Sequence, residues 1–300
     1  VQKLRYEILD KLIESNVTST EIDFLIYVSR YQNDSGIARG IYYKDLCSEL
    51  GISFQSFYDL KASLSTKGII KAEKHSYFDW DIEILDNDFS NVDYEEVDEN
   101  GKKKVKYINT NHNIFYQKEF YGLKANEKIL AMDFMKNCLS GYGSHDIGTQ
   151  NFYDKYTNLL GVTKRMLQSY MQALKCFFSI GIKDKKYWIT PLANVRRKFG
   201  AKTEIETYRG HIGEIICRRS KIKTVKEQEK KDTVDLLKQY LKSVNGQIDK
   251  LEDLLFIAVQ KSIEKANAGV HNVYKWVRQL QPKLVHLCLR EQLEEIATLN

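Results

Sequence analysis

The residues with the most recognisable chemistry lie in one run, TKRMLQSYMQ, from Thr163 to Gln172. At helical spacing its apolar members share one face, leaving Lys164, Arg165, Gln168 and Gln172 as long donors on the other, with Lys175 a turn beyond. Such donors match base edges in the major groove of a DNA duplex. Arg and Lys suit guanine O6 and N7, and Gln suits adenine N6 and N7. A solvated polar face has the same composition, so the surrounding elements have to discriminate between the two.

A second set, Gln55, Ser56, Tyr58 and Lys61, occupies a corresponding place in FQSFYDLKASL, but it includes Asp59 and fewer cations. Phosphate contacts are expected beside each helix, from Lys71, Lys74, His75 and Tyr77 in one case and Lys183, Lys185 and Lys186 in the other. Two basic runs add to these: Arg196, Arg197, Lys198 and Lys202, then Arg218, Arg219, Lys221, Lys223 and Lys226. Binding through so many cations would be strongly salt-dependent, because each neutralised phosphate releases counterions. Lysines on a hairpin tip can equally serve only solubility.

Enzyme signatures are absent. No GxxxxGK[ST] run cradles a nucleotide phosphate, and no GxSxG, HExxH or GxGxxG run occurs. The six histidines, His75, His112, His145, His211, His271 and His286, include no His-x-His pair and are expected in surface or core roles. The five cysteines, Cys47, Cys138, Cys176, Cys217 and Cys288, are far apart and lack metal-ligand spacing. The expectation is a non-enzyme with reduced thiols, no metal and no cofactor.

For these donors to enter a groove, a frame of helices must present them. Between Ser19 and Leu85 the pattern is a helix carrying Ile22, Leu25 and Ile26, a short extended piece at Ile41 to Tyr43, and a helix KDLCSEL stopped by Gly51. A helix capped by Ser53, with Phe54, Phe57, Leu60 and Leu64 on one face, and two apolar-alternating strands complete it. The order recurs from Asn126: a helix through Met135, a helix from Gln150 to Leu160 closed by Gly161, a helix capped by Thr163, and the hairpin GIKDKKYWIT. Helix, strand, helix, sharp turn, helix, hairpin is the order of a winged helix-turn-helix. The spacing from Gly51 to Gly161 makes the repeat about 110 residues, which suits a duplicated small domain better than a solenoid unit. Trp80 and Trp188 then occupy matching strands, with packing beneath the helices as their expected role. Most other aromatics, among them Phe24, Tyr27, Phe134, Phe177 and Phe178, fall on apolar faces and are expected in the core.

Seven acids, Asp86, Asp88, Asp93, Glu95, Glu96, Asp98 and Glu99, precede Asn100–Gly101 and the lysines 102, 103, 104 and 106. This is either a solvated linker or a hairpin pairing acid against base. After Pro191 the chain turns basic and then helical, with stripes at Leu237–Val244 and Leu251–Ile263, a helix from Val270 to Leu280, and a last one from Leu284 to Leu299. The stripes are too wide for a strict coiled-coil seam and suggest a bundle.

The chain has 300 residues, 43% hydrophobic and 29% charged, only two prolines, and a net charge of +6. No run approaches the roughly 20 apolar residues that cross a bilayer, and a cytosolic protein is expected. The fold class expected is mainly α with small β wings. Winged helix-turn-helix domains fall at 1–88 and 113–193, a charged connector at 89–112, and a basic segment with a helical C-terminal domain at 194–300.

The stretch GISFQSFYDLKASLSTKGII looks like the recognition helix and wing entry of many bacterial winged-helix proteins. The stretch IFYQKEFYGLKANEKILAMDFM resembles the start of the winged-helix domain in plasmid and phage replication initiators of the RepA_N and DnaD-like kind, with Phe115, Leu123 and Lys128 at the places of its entry motif. DLLFIAVQKSIEKANAGVHNVYKWVRQL is similar to the carboxyl-terminal helices of DnaD-like primosome proteins. Ile257, Ala258, Ile263, Ala266, Tyr274 and Val277 match the apolar pattern there. It departs where that family carries a Trp after its Tyr-x-x-Ile run, since Trp276 comes earlier and Pro282 is near. The resemblance implies sequence-specific duplex binding at origin repeats to initiate plasmid or phage replication. It also implies a tail that forms a homo-oligomer or recruits a host helicase-loading or primosome protein. A transcriptional regulator built on the same heads and a winged-helix protein-interaction scaffold are the alternatives.

Overall fold

The computed structural model describes residues 1–75, 79–90, 95–97, 103–197 and 202–299. Up to residue 197, helices alternate with small antiparallel sheets; beyond it the chain is largely helical.

A short strand, β1 (Lys3–Arg5), and an amphipathic helix, α1 (Tyr6–Glu14), open the chain and bury Leu4, Ile8, Leu9 and Leu12. The sequence reading has neither, because β1 is three residues long and its ladder partner is remote. Next come α2 (Ser19–Ser29), β2 (Ile37–Tyr42), α3 (Tyr43–Leu50), α4 (Phe54–Thr66), β3 (Ile70–Lys74) and β4 (Asp79–Ile84). The three strands form one antiparallel sheet with β4 in the middle. Thr18 and Glu21 close a capping box on α2, and the Ser53 hydroxyl accepts from the Ser56 amide at the start of α4. Gly51 ends α3 at φ 64°, a left-handed turn that a residue with a Cβ adopts only under strain.

Between 89 and 112 the hairpin forms rather than an open linker. β5 (Glu95–Val97) and β6 (Lys103–Val105) are antiparallel, with Glu96 opposite Lys104 in the register. The expected turn, Asn100–Gly101, lies outside the described residues. The end of this stretch, β7 (Tyr107–Asn109), pairs with β1 and buries Ile108, so it belongs to the packed fold.

The second pass of the pattern comprises a short α5 (Lys118–Tyr121), α6 (Ala125–Asn137), β8 (His145–Gly148), α7 (Thr149–Leu160), α8 (Lys164–Ala173), β9 (Phe178–Lys183) and β10 (Lys186–Pro191). β10 is central between β8 and β9, as β4 is between β2 and β3. Gly161 closes α7 at φ 61° and the Thr163 hydroxyl accepts from the Met166 amide at the start of α8. α2 and α6 pack against each other and are buried almost all round. One apolar core therefore runs from Leu4 to Val195 through both passes. Phe24, Phe57, Phe134, Phe152 and Phe177 are fully enclosed in it, and each such side chain contributes about 1.5–3 kcal/mol.

A second core, from Ile212 to Leu289, holds α9 (Glu204–Arg219), α10 (Glu227–Tyr240), α11 (Ile248–Ala266) and α12 (Pro282–Leu299). The helix expected from Val270 to Leu280 does not form. Gly269 turns at φ 88°, and only a single 3-10 turn, Val273–Lys275, follows. The buried Asn267 holds the segment in a loop: its amide donates to the Ile263 and Val277 carbonyls, and its Oδ1 accepts from the Val277 amide. Of the tail positions matched to DnaD-like proteins, Ala258 and Ile263 are buried, whereas Ile257, Ala266, Tyr274 and Val277 face solvent. Phe115, Leu123 and Lys128 are all buried.

The C-terminal helices are fastened to the first sheet. At Gly40 (φ 56°) the register of β2 shifts, and a Cβ there would lie 2.6 Å from Ile215 Cγ1 of α9. Arg219 reaches Asp81 at 2.5 Å and Asp79 at 3.3 Å, while Arg39 bridges Asp81, Asp253 and Glu252. His211 Nε2 lies 2.7 Å from the Arg39 carbonyl oxygen.

Candidate nucleic-acid interface

α8 is held by its inner face. Leu167, Tyr170 and Met171 are buried, and Leu174 closes the core just past its end. The opposite face is open: Arg165, Gln168, Ser169, Gln172 and Lys175 are exposed at three- and four-residue steps and form one stripe. Lys164 is exposed at the N-terminal end with its ammonium 5.4 Å from the Tyr153 ring, and Gln168 Nε2 donates to Tyr153 Oη at 3.2 Å. These two contacts orient the donors without burying them. Beside the stripe, β9 and β10 meet in a tight turn at Asp184 (φ 52°) and Lys185 (φ 56°), which leaves Lys183 and Lys185 exposed. Lys186 is also exposed but bonds Asp146 at 3.0 Å.

The first unit places its candidates differently. Superposing Gly51 on Gly161 pairs the buried Phe57 and Leu64 and the half-buried Leu60 of α4 with Leu167, Leu174 and Tyr170. Phe54, expected on the apolar face, instead lies outward and is 54% exposed, because as the first residue of α4 it precedes the turn that meets the core. With Gln55, Tyr58, Asp59, Ala62 and Ser65 it stands where the second unit has Lys164, Arg165, Gln168, Ser169, Gln172 and Lys175. Gln55 donates to Asp59 at 2.8 Å, and the Ser56 and Ser53 hydroxyls are 2.8 Å apart. Lys61 lies over the Trp80 ring at 4.0 Å, where burial pulls its pKa down. Tyr58 packs edge-on against Phe57 and Trp80. Lys74 is exposed at the end of β3, and Lys71 pairs with Glu73 at 2.8 Å. His75 lies 3.9 Å from Asp81; Tyr77 is outside the described residues.

The arginines of the basic runs are engaged within the protein. Arg196 Nε donates to the Gly141 carbonyl at 3.1 Å, and Arg197 donates to the Lys202 carbonyl. Arg218 donates to the Gly40 carbonyl at 2.9 Å and stacks on Tyr42. With Arg219 on Asp79 and Asp81, both arginines join α9 to the first sheet. Lys221, Lys223 and Lys226 remain exposed. Lys198 lies outside the described residues.

Trp188 is the residue the sequence misplaces. The registers pair Trp80 with Ile41 and Tyr187 with Ile147, so Tyr187, not Trp188, is the counterpart of Trp80. Trp188 points to the other face of its sheet and is 42% exposed. Strand alternation carried the signal: Tyr187, Ile189 and Pro191 are the apolar phase, and Trp188 falls out of it.

A cavity of about 870 Å³ between α3 and the α9–α10 pair has walls of both charges, many already paired, as in Arg209 with Asp235 and Lys230 with Glu214. Among the described residues no group of three His, Cys, Asp or Glu could hold a metal ion, and no helix is long and apolar enough to cross a membrane. No family model, curated protein or solved structure matches the chain.

Proposed function

We propose that the chain is a sequence-specific, non-catalytic, duplex DNA-binding protein in which the units around α4 and α8 are winged helices and α8 is the principal reading helix. The observation that carries this reading is the exposed stripe Arg165, Gln168, Gln172 and Lys175, with Lys164 at its N-terminal end. A capped helix with its inner face in a rigid core and long donors outward suits the major groove. Lys183 and Lys185 on the adjoining hairpin supply phosphate contacts that fix the register. α4 plays a lesser part, because its outward positions hold Asp59, Ala62 and Ser65 where α8 has Ser169, Gln172 and Lys175, and Asp59 repels phosphate.

The biological setting we propose is initiation of plasmid or phage replication at origin repeats, with the C-terminal helices serving self-association or a helicase-loading partner. This extends the likeness of residues 114–135 to replication initiators. The test is a mobility shift with origin-proximal duplex of the parent replicon against random duplex at moderate salt. Preference for the origin fragment, lost on Lys164→Ala/Arg165→Ala, supports the reading; equal affinity for both rejects it.

A further inference from the structure

The two three-stranded sheets have the same strand order, yet their outer faces carry opposite chemistry. In the first, the outward positions of β4 are Asp79, Asp81 and Glu83, with Lys71 and Glu73 opposite them on β3. α9 covers part of this face, and its Arg219 sits between Asp79 and Asp81. In the second, the equivalent positions are Lys186, Trp188 and Thr190, facing Ser179, Gly181 and Lys183. All six are exposed.

Three replacements matter. Lys186 stands where Asp79 stands in the first sheet, so an arginine-bearing helix like α9 would meet repulsion here. Trp188 takes the place of Asp81, and the register sets Gly181 opposite it where Glu73 stands opposite Asp81, so no cross-strand side chain covers the indole from β9. Lys183, Lys185 and Lys186 lie toward the hairpin tip, while on the β8 side Asp146 stands opposite Trp188 in the register and pairs with Lys186. An open aromatic face among lysines on a rigid sheet suits an unpaired nucleic-acid strand: bases stack on the ring and phosphates meet the ammonium groups.

We propose that this outer face, centred on Trp188, binds single-stranded DNA at a site that lies off the α8 stripe and shares the wing lysines Lys183 and Lys185 with the duplex contacts. Duplex offers it little, since stacked and paired bases hide their faces. Resting on the reading of α8 as a duplex reader, the site would let one wing hold a melted strand beside the recognised duplex.

The test uses the full chain carrying Trp80→Phe and Trp276→Phe, which leaves Trp188 as the sole indole, titrated with oligo-dT while its emission is followed. Quenching that saturates and weakens with salt is expected. In the otherwise native chain, Trp188→Ala should weaken oligo-dT binding about ten-fold, as for loss of one stacked base, and Trp188→Phe should restore most of it. Trp188→Ala should leave origin-duplex affinity and the melting curve unchanged, because the side chain is outside the core. Conversely, Lys164→Ala/Arg165→Ala should lose duplex specificity and keep the oligo-dT response, so failure of one site is visible apart from failure of the other. If the double Trp variant melts early, the native chain read against Trp188→Phe gives the same signal by difference. Absence of quenching at high oligo-dT, or equal affinity of Trp188→Ala and the native chain, overturns the proposal. An emission change that follows protein concentration without DNA overturns it too, and assigns the face to a second copy.

Discussion

Lys128 of α6 places its ammonium 2.6 Å from both carboxylate oxygens of Asp23 on α2, with no exposure of the lysine to solvent. The Ser19 and Tyr121 carbonyls, each at 3.4 Å, complete the surroundings of the ammonium. Burial pushes the Lys128 pKa down and the Asp23 pKa up, each against the pull of its partner's charge. The desolvation of both charges offsets much of their attraction, so the intact pair adds little net stability.

Removing one partner is the damaging change. Asp23→Ala should lower stability by about 3–5 kcal/mol by leaving an uncompensated buried ammonium, whereas Asp23→Leu with Lys128→Met should recover most of it. Urea midpoints of the single and double variants check this. A double variant as unstable as the single would reject the account.

The stripe on α8 predicts unequal effects from equivalent substitutions. Arg165→Ala should weaken specific duplex binding by about 1–3 kcal/mol and relax preference at one base position. Gln55→Ala, at the matching place on α4, should leave affinity near that of the native chain. Anisotropy titrations against sites with single base changes measure both; a larger loss for Gln55→Ala would make α4 the reader.

Lys185 at the hairpin tip is predicted to touch phosphate only. Lys185→Ala should weaken binding to all sequences alike and reduce the slope of log affinity against log salt by about 1. A change in sequence preference with an unchanged slope would place it on a base instead.

Gly40 meets two demands, a φ of 56° and close approach of Ile215. Gly40→Val should cost about 1–3 kcal/mol from backbone strain alone, with further loss from the clash. The melting temperature measures it, and a native-like value would show that α9 does not depend on this seat.

Glu252 on α11 is fully buried, and burial raises its pKa from 4.5 to about 7. The Tyr208 hydroxyl and Asn33 amide donate to its carboxyl, Arg39 lies 3.5 Å away, and Asp253 adds like charge. Between pH 4.5 and about 7 the folded chain keeps a proton that the unfolded chain has released, so this group's contribution falls as pH rises through that window. His211 acts in the other direction: burial pulls its pKa from 6.5 to about 4, so its contribution is lost as pH falls through that range. Glu252→Gln removes only the first effect. Its stability relative to the native chain should rise from pH 4.5 to about 7 and be level above, by urea unfolding at each pH; a flat difference throughout would deny Glu252 the shift.

Local rules were sufficient for the repeated frame. Ser53 and Thr163 as caps, Gly51 and Gly161 as left-handed stops, and the faces of α4 and α8 follow from single side chains and their helical spacing, so the sequence alone located both helices and the stripe on α8. Tertiary structure decided what has no local signature. β1 is too short to declare itself without β7, the segment after Ala266 loops because Asn267 binds its backbone, and Arg218 and Arg219 turn inward because β4 supplies Asp79 and Asp81. Trp188 shows the same division. Its strand and its alternation were legible, since Tyr187, Ile189 and Pro191 form the apolar phase; the pairing of β10 with β8 and β9 then fixes which first-sheet residue each one matches and sets Trp188 on the outer face.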